Sequence, residues 1–286
     1  MLKTLSFFGE VDLIQVAIER LKFAHEISES RGLGPLYVAF SGGKDSIAIA
    51  KLAEMAGVPH ELHYNITGID PPEVIYFMRN HYPNLIWNPP RKSMWQLIIE
   101  KKMPPTRKVR YCCAELKERG GDGKVIITGV RWAESTKRKN TRRQFETKAA
   151  KLKDKRMFYD NYEDREQFKA CQMKKGFVIN PIVDWTDTQV WEFIHQNKMP
   201  YCELYDQGET RIGCIGCPMG STKGMVEDFR RYPKFKDAYI RAFDKMLARY
   251  DCDKQKTWKT GEDVLRWWIY GKEENHGNQI TFLEEV

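Results

Sequence analysis

The sequence predicts an α/β protein, a parallel sheet with helices on both faces, joined to a smaller helical, cysteine-containing C-terminal lobe. Three observations predict it. Short apolar runs alternate with stretches of helical period between residues 36 and 128. The first run, Leu36-Tyr37-Val38-Ala39-Phe40, passes through a Gly-rich turn straight into a helical stretch. Beyond residue 200 the strand pattern stops, and helical stretches follow a Cys-x-x-Cys.

Taken in order, Ile14, Ile18, Leu21 and Ala24 fall at helical spacing between Val11 and Ser30, and Gly32, Gly34 and Pro35 end that helix. A strand over 36–40 leads into a helix over 44–55. Strands over 61–65 and 85–87 alternate with helices over 72–81 and 94–101, and a further strand covers 125–128. Such alternation implies right-handed crossovers, with ligands at the carboxyl ends of the strands. Residues from about 137 to 175 are basic, charged and poorly periodic, and are expected to form a mobile excursion. Order resumes with a strand over 178–183 and a helix over 187–197, for which Thr186 is a suitable N-cap. Helices are expected over 226–250 and 263–270. The division that follows is a nucleotide-binding domain over 1–200 and a cysteine-containing lobe over 201–286.

A chain of 286 residues with 42% apolar content buries a large core. No stretch reaches the roughly 20 apolar residues of a membrane span, and no signal-peptide layout opens the chain. The expectation is a cytoplasmic protein with no membrane partner. Seven cysteines are too few for a disulfide scaffold at this length, so they are read as thiols. The net charge of +8 is local: residues 131–156 hold eleven Lys or Arg against three Asp or Glu. The rest balances at 36 of each. One such block suits a polyanion, and a nucleic-acid acceptor is the partner it suggests.

Chemistry concentrates first at Ser41-Gly42-Gly43-Lys44-Asp45-Ser46. Glycines let backbone N–H groups approach a phosphate, two hydroxyls and a lysine add donors, and the following helix aims its positive end at the same place. The spacing is not that of the Walker loop. Ser-Gly-Gly-x-Asp-Ser resembles instead the PP-loop of the ATP pyrophosphatases and adenine nucleotide α-hydrolases. That resemblance implies an adenine nucleotide held by Ser41 to Ser46, Mg²⁺ accompanying ATP, and cleavage at the α-phosphate.

Further segments occur in the order found in the phosphoadenosine phosphosulfate reductase family, which they resemble over about residues 36–218. They are Asn65-Ile66-Thr67-Gly68 with Pro72-Glu73, then Thr128-Gly129-Val130-Arg131 with Glu134-Ser135 and Arg138. Asn180-Pro181-Ile182-Val183-Asp184-Trp185 with Val190-Trp191 follows, and Pro200-Tyr201, Leu204-Tyr205-Asp206 and Gly208 lead to Ile212-Gly213-Cys214. The resemblance implies that Thr67, Gly68, Gly129 and Arg131 contact the nucleotide, and that Lys44, Asp45, Arg131 and Arg138 act in the reaction. Arg131 and Arg138 suit bidentate contacts with phosphate or sulfate oxygens. For any single cation of 137–156 a solvated charge is the alternative, and Trp185 and Trp191 read as core.

Cys112-Cys113 and Cys214-x-x-Cys217 resemble the arrangement that holds a four-iron four-sulfur cluster in cluster-containing adenylyl sulfate reductases. Zinc and uncoordinated redox thiols remain alternatives. Cys202 stands twelve residues before Cys214 as a substitute ligand or neighbouring thiol, while Cys171 and Cys252 read as bystanders. The reductases' C-terminal Glu-Cys-Gly-Leu-His segment is missing. Cys252 lies between Asp251 and Asp253, which disfavour a thiolate. With the loop intact, ATP is the expected nucleotide, and the sulfur-inserting relatives that thiolate nucleic acids are the nearest functional analogy, with a sulfur or electron donor protein as partner. The alternatives are a reductase releasing sulfite with an external thiol, and a nucleotide-binding accessory subunit.

Overall fold

The computed structural model describes residues 2–6, 9–149, 154–171, 175–249 and 258–271. Cys252 and its flanking aspartates lie outside them. The chain divides into two compact units, Met1–Ile66 with Pro71–Pro89 and Glu118–Ile212, and Thr67–Asp70 with Pro90–Lys117 and Gly213–Val286.

The first unit opens with an antiparallel pair, β1 (Lys3–Ser6) and β2 (Gly9–Asp12). Asp12 then caps α1 (Leu13–Ser30) by accepting from the N–H groups of Ile14 and Gln15, which satisfies two of its unpaired donors. The main sheet contains β3 (Leu36–Ala39), β4 (His60–Asn65), β5 (Ile86–Asn88), β6 (Val125–Ile127), β7 (Phe145–Thr147), β8 (Met157–Phe158) and β9 (Phe177–Ile179), in the order β5-β4-β3-β6-β9-β7-β8. From β5 to β9 the strands are parallel. The outer two differ from the expected parallel pattern: β7 runs antiparallel to β9, and β8 antiparallel to β7.

Alternation along the strands sorts the side chains. Leu36 and Val38 of β3, with Leu62 and Tyr64 of β4, join the apolar clusters of α1, α2 (Lys44–Ala56) and α3 (Pro72–His81). Tyr37, Glu61, His63 and Asn65 point to the other face. There Tyr37 stacks on His63 at 3.9 Å between ring centres, and Asn88 donates to Tyr37 and Asn65.

The expected basic excursion is the largest correction to the element reading. Residues 137–149 and 154–171 contribute α5 (Thr136–Thr141), β7, β8 and α6 (Tyr162–Ala170), and only 150–153 and 172–174 lie outside the described residues. The reason is aromatic. Phe158 and Phe168 are buried against Phe145, Phe177 and Phe23 with edge and tilted ring contacts. Inside this segment Glu146 is fully buried, and it is matched by Lys155 at 2.6 Å and Arg142 at 3.3 Å.

Helix α7 (Asp187–Gln196) starts at Thr186 in a capping box with Gln189, as its sequence predicts. The second unit holds α4 (Met94–Lys101), a π-helical turn at Cys113–Lys117, α8 (Thr222–Arg231), α9 (Pro233–Arg249) and α10 (Gly261–Tyr270). The helix expected over 226–250 is broken because Pro233 starts a new one after Tyr232 caps α8. Leu97 and Ile98 of α4 share a buried cluster with Tyr239, Ala242, Phe243 and Met246 of α9 and Trp268 of α10. The cut therefore falls after Ile212 rather than at 200, and the second unit recruits 67–70 and 90–117 from the middle of the chain. Among the described residues no helix is long and apolar enough to cross a membrane.

Candidate functional site

Two sites emerge, one in each unit. In the first, β3 delivers the chain to Ser41–Ser46 at its carboxyl end. Gly42 has φ 71°, and a Cβ there would lie 2.8 Å from Val74 and 3.0 Å from Met78, so only glycine turns here without moving α3. Ser46 Oγ donates to Gly43 O at 2.7 Å and accepts from Ser41 N at 3.2 Å, closing the loop on itself. Gly43 is the N-cap of α2 and offers no side chain, which leaves the first turn's N–H groups for another acceptor.

Lys44 is buried, and its donors are engaged. Its N–H reaches the Tyr205 hydroxyl at 2.9 Å, and Nζ reaches Thr210 O at 3.0 Å and Asp187 at 3.4 Å. Asp45 accepts from Arg131 Nε at 2.7 Å. Arg131 is 1% exposed and also donates to Asp187 at 2.6 Å and to Trp185 O at 3.3 Å. Its guanidinium is thus a tie between α2, the strand end after β6 and the start of α7. Gly129 lets that strand end pass close: a Cβ there would stand 3.0 Å from the Asp45 backbone. Asp187 feels burial, which favours its neutral form, but the Arg131 hydrogen bond and the Lys44 charge outweigh it and hold the carboxyl below its usual range.

Arg138 faces a different situation. It pairs with Glu134 four residues back, yet burial and the nearby guanidiniums of Arg211 and Arg142 push it down to about 10. Several cations are gathered beside the loop and repel one another, the condition that an incoming anion relieves. The structure therefore brings Ser41 to Ser46, Gly129, Arg131 and Arg138 into one unit. Sequence reasoning missed Tyr205, Asp187 and Arg211, whose residue types carried no signal beyond their place in ordered motifs.

Thr67 and Gly68 belong instead to the second unit. Thr67 donates to Asp70 at 2.8 Å and accepts from Ile69 N at 3.1 Å. Thr67 also lines a cavity with Cys112, Cys113, Cys214 and Cys217. All four cysteines are thiols. The π-helical turn sets Cys112 and Cys113 on the same wall as Leu116 and Lys117, since its wider winding stacks residues four and five apart. Burial raises the Cys214 thiol to about 12 against the opposing Lys117 ammonium. The Cys113 hydrogen bond, burial and the other thiols push Cys112 up as well. Lys117 also stands 3.5 Å from Asp70. No three His, Cys, Asp or Glu of the described residues converge as a single ion's ligands. Cys202 is buried in the first unit among Phe40, Tyr64 and Leu204, apart from this thiol set.

A family model described as the phosphoadenosine phosphosulfate reductase domain matches residues 35–219. An uncharacterised protein of Methanocaldococcus jannaschii is 28% identical over 228 residues, 76% of this chain and 49% of that protein. An adenosine 5'-phosphosulfate reductase of Allochromatium vinosum is 44% identical over 52 residues, 18% of this chain and 20% of its own. Among solved structures, a phosphoadenylyl-sulfate reductase from Candida auris in complex with phosphate aligns with a TM-score of 0.43 at 18% identity, covering 74% of this chain and 96% of that one. The chain spans half or less of the length of these curated relatives.

Proposed function

The chain belongs to the phosphoadenosine phosphosulfate reductase domain family, and from that premise we propose that it is an enzyme of sulfur metabolism that binds ATP at Ser41–Ser46 and splits it at the α-phosphate. An acceptor oxygen attacks the α-phosphorus, the bond to the β-phosphate breaks, and pyrophosphate leaves. A sulfur nucleophile from a donor protein then displaces AMP from the adenylated acceptor. The observation that carries this reading is the loop itself: a left-handed turn that suits glycine, a helix N-terminus with no side-chain cap, and the Lys44 and Arg138 cations beside it. Lys44 is assigned to the outer phosphates. Arg138 is assigned to the charge that develops at the α-phosphate. Asp45 and Arg131 hold the loop to the strand end and act by positioning.

Cys112, Cys113, Cys214 and Cys217 are proposed to hold a four-iron four-sulfur cluster. A single tetrahedral ion needs four sulfurs within about 2.3 Å of one point, whereas in a cluster each thiolate takes its own iron. Four thiols around a common cavity fit the second requirement. Thiols whose burial and mutual proximity oppose ionisation need a cationic group to become thiolates, and irons supply that charge. When bound, such a cluster supplies one-electron transfer or a place to deliver sulfur.

The resemblance of a short segment to adenosine 5'-phosphosulfate reductase favours a second reading, reduction of a sulfonucleotide to sulfite by an external thiol. Offering ATP, adenylyl sulfate and phosphoadenylyl sulfate in parallel separates the two. Pyrophosphate released from ATP supports the first reading and sulfite the second. Tight binding with no turnover of any of them points to an accessory subunit.

A further inference from the structure

Any phosphate that uses the Ser41–Ser46 loop needs two donors from Lys44, the N–H at the start of α2 and the side-chain ammonium. Both already have partners from one short segment. The Tyr205 hydroxyl accepts from Lys44 N at 2.9 Å, and the Thr210 carbonyl accepts from Nζ at 3.0 Å. The hydroxyl also stands 3.5 Å from where a Cβ on Gly43 would be, which puts it directly over the loop's backbone. The Lys44 ammonium lies 5.7 Å from the centre of the Tyr205 ring.

The segment is a turn anchored at its buried start, with its outer residues exposed. Cys202 and Leu204 are buried, at 1% and 3% exposure, and turn hydrogen bonds run from Tyr205 N to Cys202 O, from Asp206 N to Glu203 O and from Glu209 N to Leu204 O, so the turn moves as a unit about its buried start. Gly208 bends the chain at φ 94°, and residues 206–211 around it are exposed. Tyr205 is a phenol whose ionisation burial opposes. It therefore keeps its proton and meets the Lys44 amide as a neutral acceptor, the kind of partner that a phosphate oxygen displaces.

We infer that residues 205–210 form a latch on the phosphate site, with the Tyr205 hydroxyl and the Thr210 carbonyl occupying the Lys44 donors that a polyphosphate must take over. This rests on the loop reading above and goes beyond it. A strong anionic acceptor wins the exchange at the Tyr205 and Thr210 bonds, because charge-assisted bonds to phosphate are stronger than those to a neutral hydroxyl and carbonyl, while Asp187, 3.4 Å from Nζ, is a charged partner that the latch does not include. Weak acceptors leave the latch closed. Trp191 packs edge-on against Tyr205 at 4.8 Å between ring centres, so opening the latch changes a tryptophan environment.

The test uses the purified full chain with inorganic pyrophosphate and Mg-ATP as probes, calorimetry for affinity and tryptophan emission for the latch. Tyr205→Phe keeps the ring and its packing and removes only the hydroxyl. It is expected to bind pyrophosphate about five-fold tighter, the equivalent of about 1 kcal/mol for one removed hydrogen bond. Wild-type emission is expected to change on pyrophosphate addition, and Trp191→Phe to lose that change. Unaltered or weaker binding by Tyr205→Phe, while Lys44→Ala abolishes binding, overturns the latch and leaves the loop reading standing. Undiminished binding by Lys44→Ala overturns the loop reading and the latch with it.

Discussion

Arg131 and Arg138 lie seven residues apart and share a residue type, yet they do opposite things. Arg131 is buried, with Asp45 and Asp187 as partners, so truncating it removes a donor from two carboxylates and from the Trp185 carbonyl. Arg131→Ala is expected to lower unfolding free energy by about 1–3 kcal/mol, read from denaturant titration, because it removes a buried guanidinium from partly exposed Asp45 and the buried Trp185 carbonyl, while Asp187 keeps Lys44. Arg138 is one-third exposed and sits among like charges. Arg138→Ala is expected to change stability by less than about 0.5 kcal/mol while weakening Mg-ATP binding at least ten-fold. Equal stability losses for the two variants would contradict the division of roles. Asp187 adds a pH dependence with a definite sign. Its folded pKa lies below its unfolded one, so its contribution is present above roughly pH 4 and fades as pH falls through the folded value. In Asp187→Asn that part of the acid-unfolding profile should flatten.

At the scale of elements, Gly42 and the π-helical turn are the two places where backbone geometry shapes the candidate sites. Gly42→Ala forces a left-handed residue and a contact with Val74, at a cost of about 1–2 kcal/mol, and should loosen α3 as well as the loop. Hydrogen exchange over 72–81 checks it: unchanged protection there counts against the close packing of loop on helix. The turn at Cys113–Lys117 predicts the metal content. Anaerobically purified protein should carry on the order of four irons per chain. Cys113→Ser should lower that content, and stoichiometric zinc without iron would overturn the cluster assignment. How much of this was legible follows the same line. Elements with strong periodicity and local caps, such as α3, α4 and α7, could be read to within a residue or so because their signals are local. The antiparallel β7 and β8 could not, since the cluster of Phe145, Phe158 and Phe168 is completed by Phe23 and Phe177, and Phe23 is more than a hundred residues away along the chain. The loop's turn was legible because the left-handed backbone at position 42 calls for glycine by type. Tyr205 and Asp187 were not, because their roles arise only where the chain returns to the loop.

Across the whole molecule the basic block is the feature that the structure alters most. Its eleven cations suggested an arm that meets polyanions with its full charge. Five of them, Arg131, Arg138, Arg142, Lys148 and Lys155, are paired with Asp45 and Asp187, Glu134, Glu146, Asp122 and Glu146. Among the described residues, Lys137, Lys139, Arg143 and Arg156 make no carboxylate pair, and Arg143 lies over the Tyr159 ring at 4.8 Å. If a nucleic acid is the sulfur acceptor, counterion release scales with the phosphates that these four can neutralise. For duplex DNA, log K should then fall with log salt with a slope near −0.9 for each, about −4 from these four and up to about −5 with Lys151 and Lys153, which lie outside the described residues, rather than the roughly −10 that the full block implies. Filter binding from low to moderate salt measures it. Lys137→Ala with Lys139→Ala should reduce the slope by about 2. Lys155→Ala should instead destabilise the fold around Glu146 without changing the slope. A slope that responds equally to all three would mean that the ion pairs open on binding, and that the segment meets its partner in another conformation.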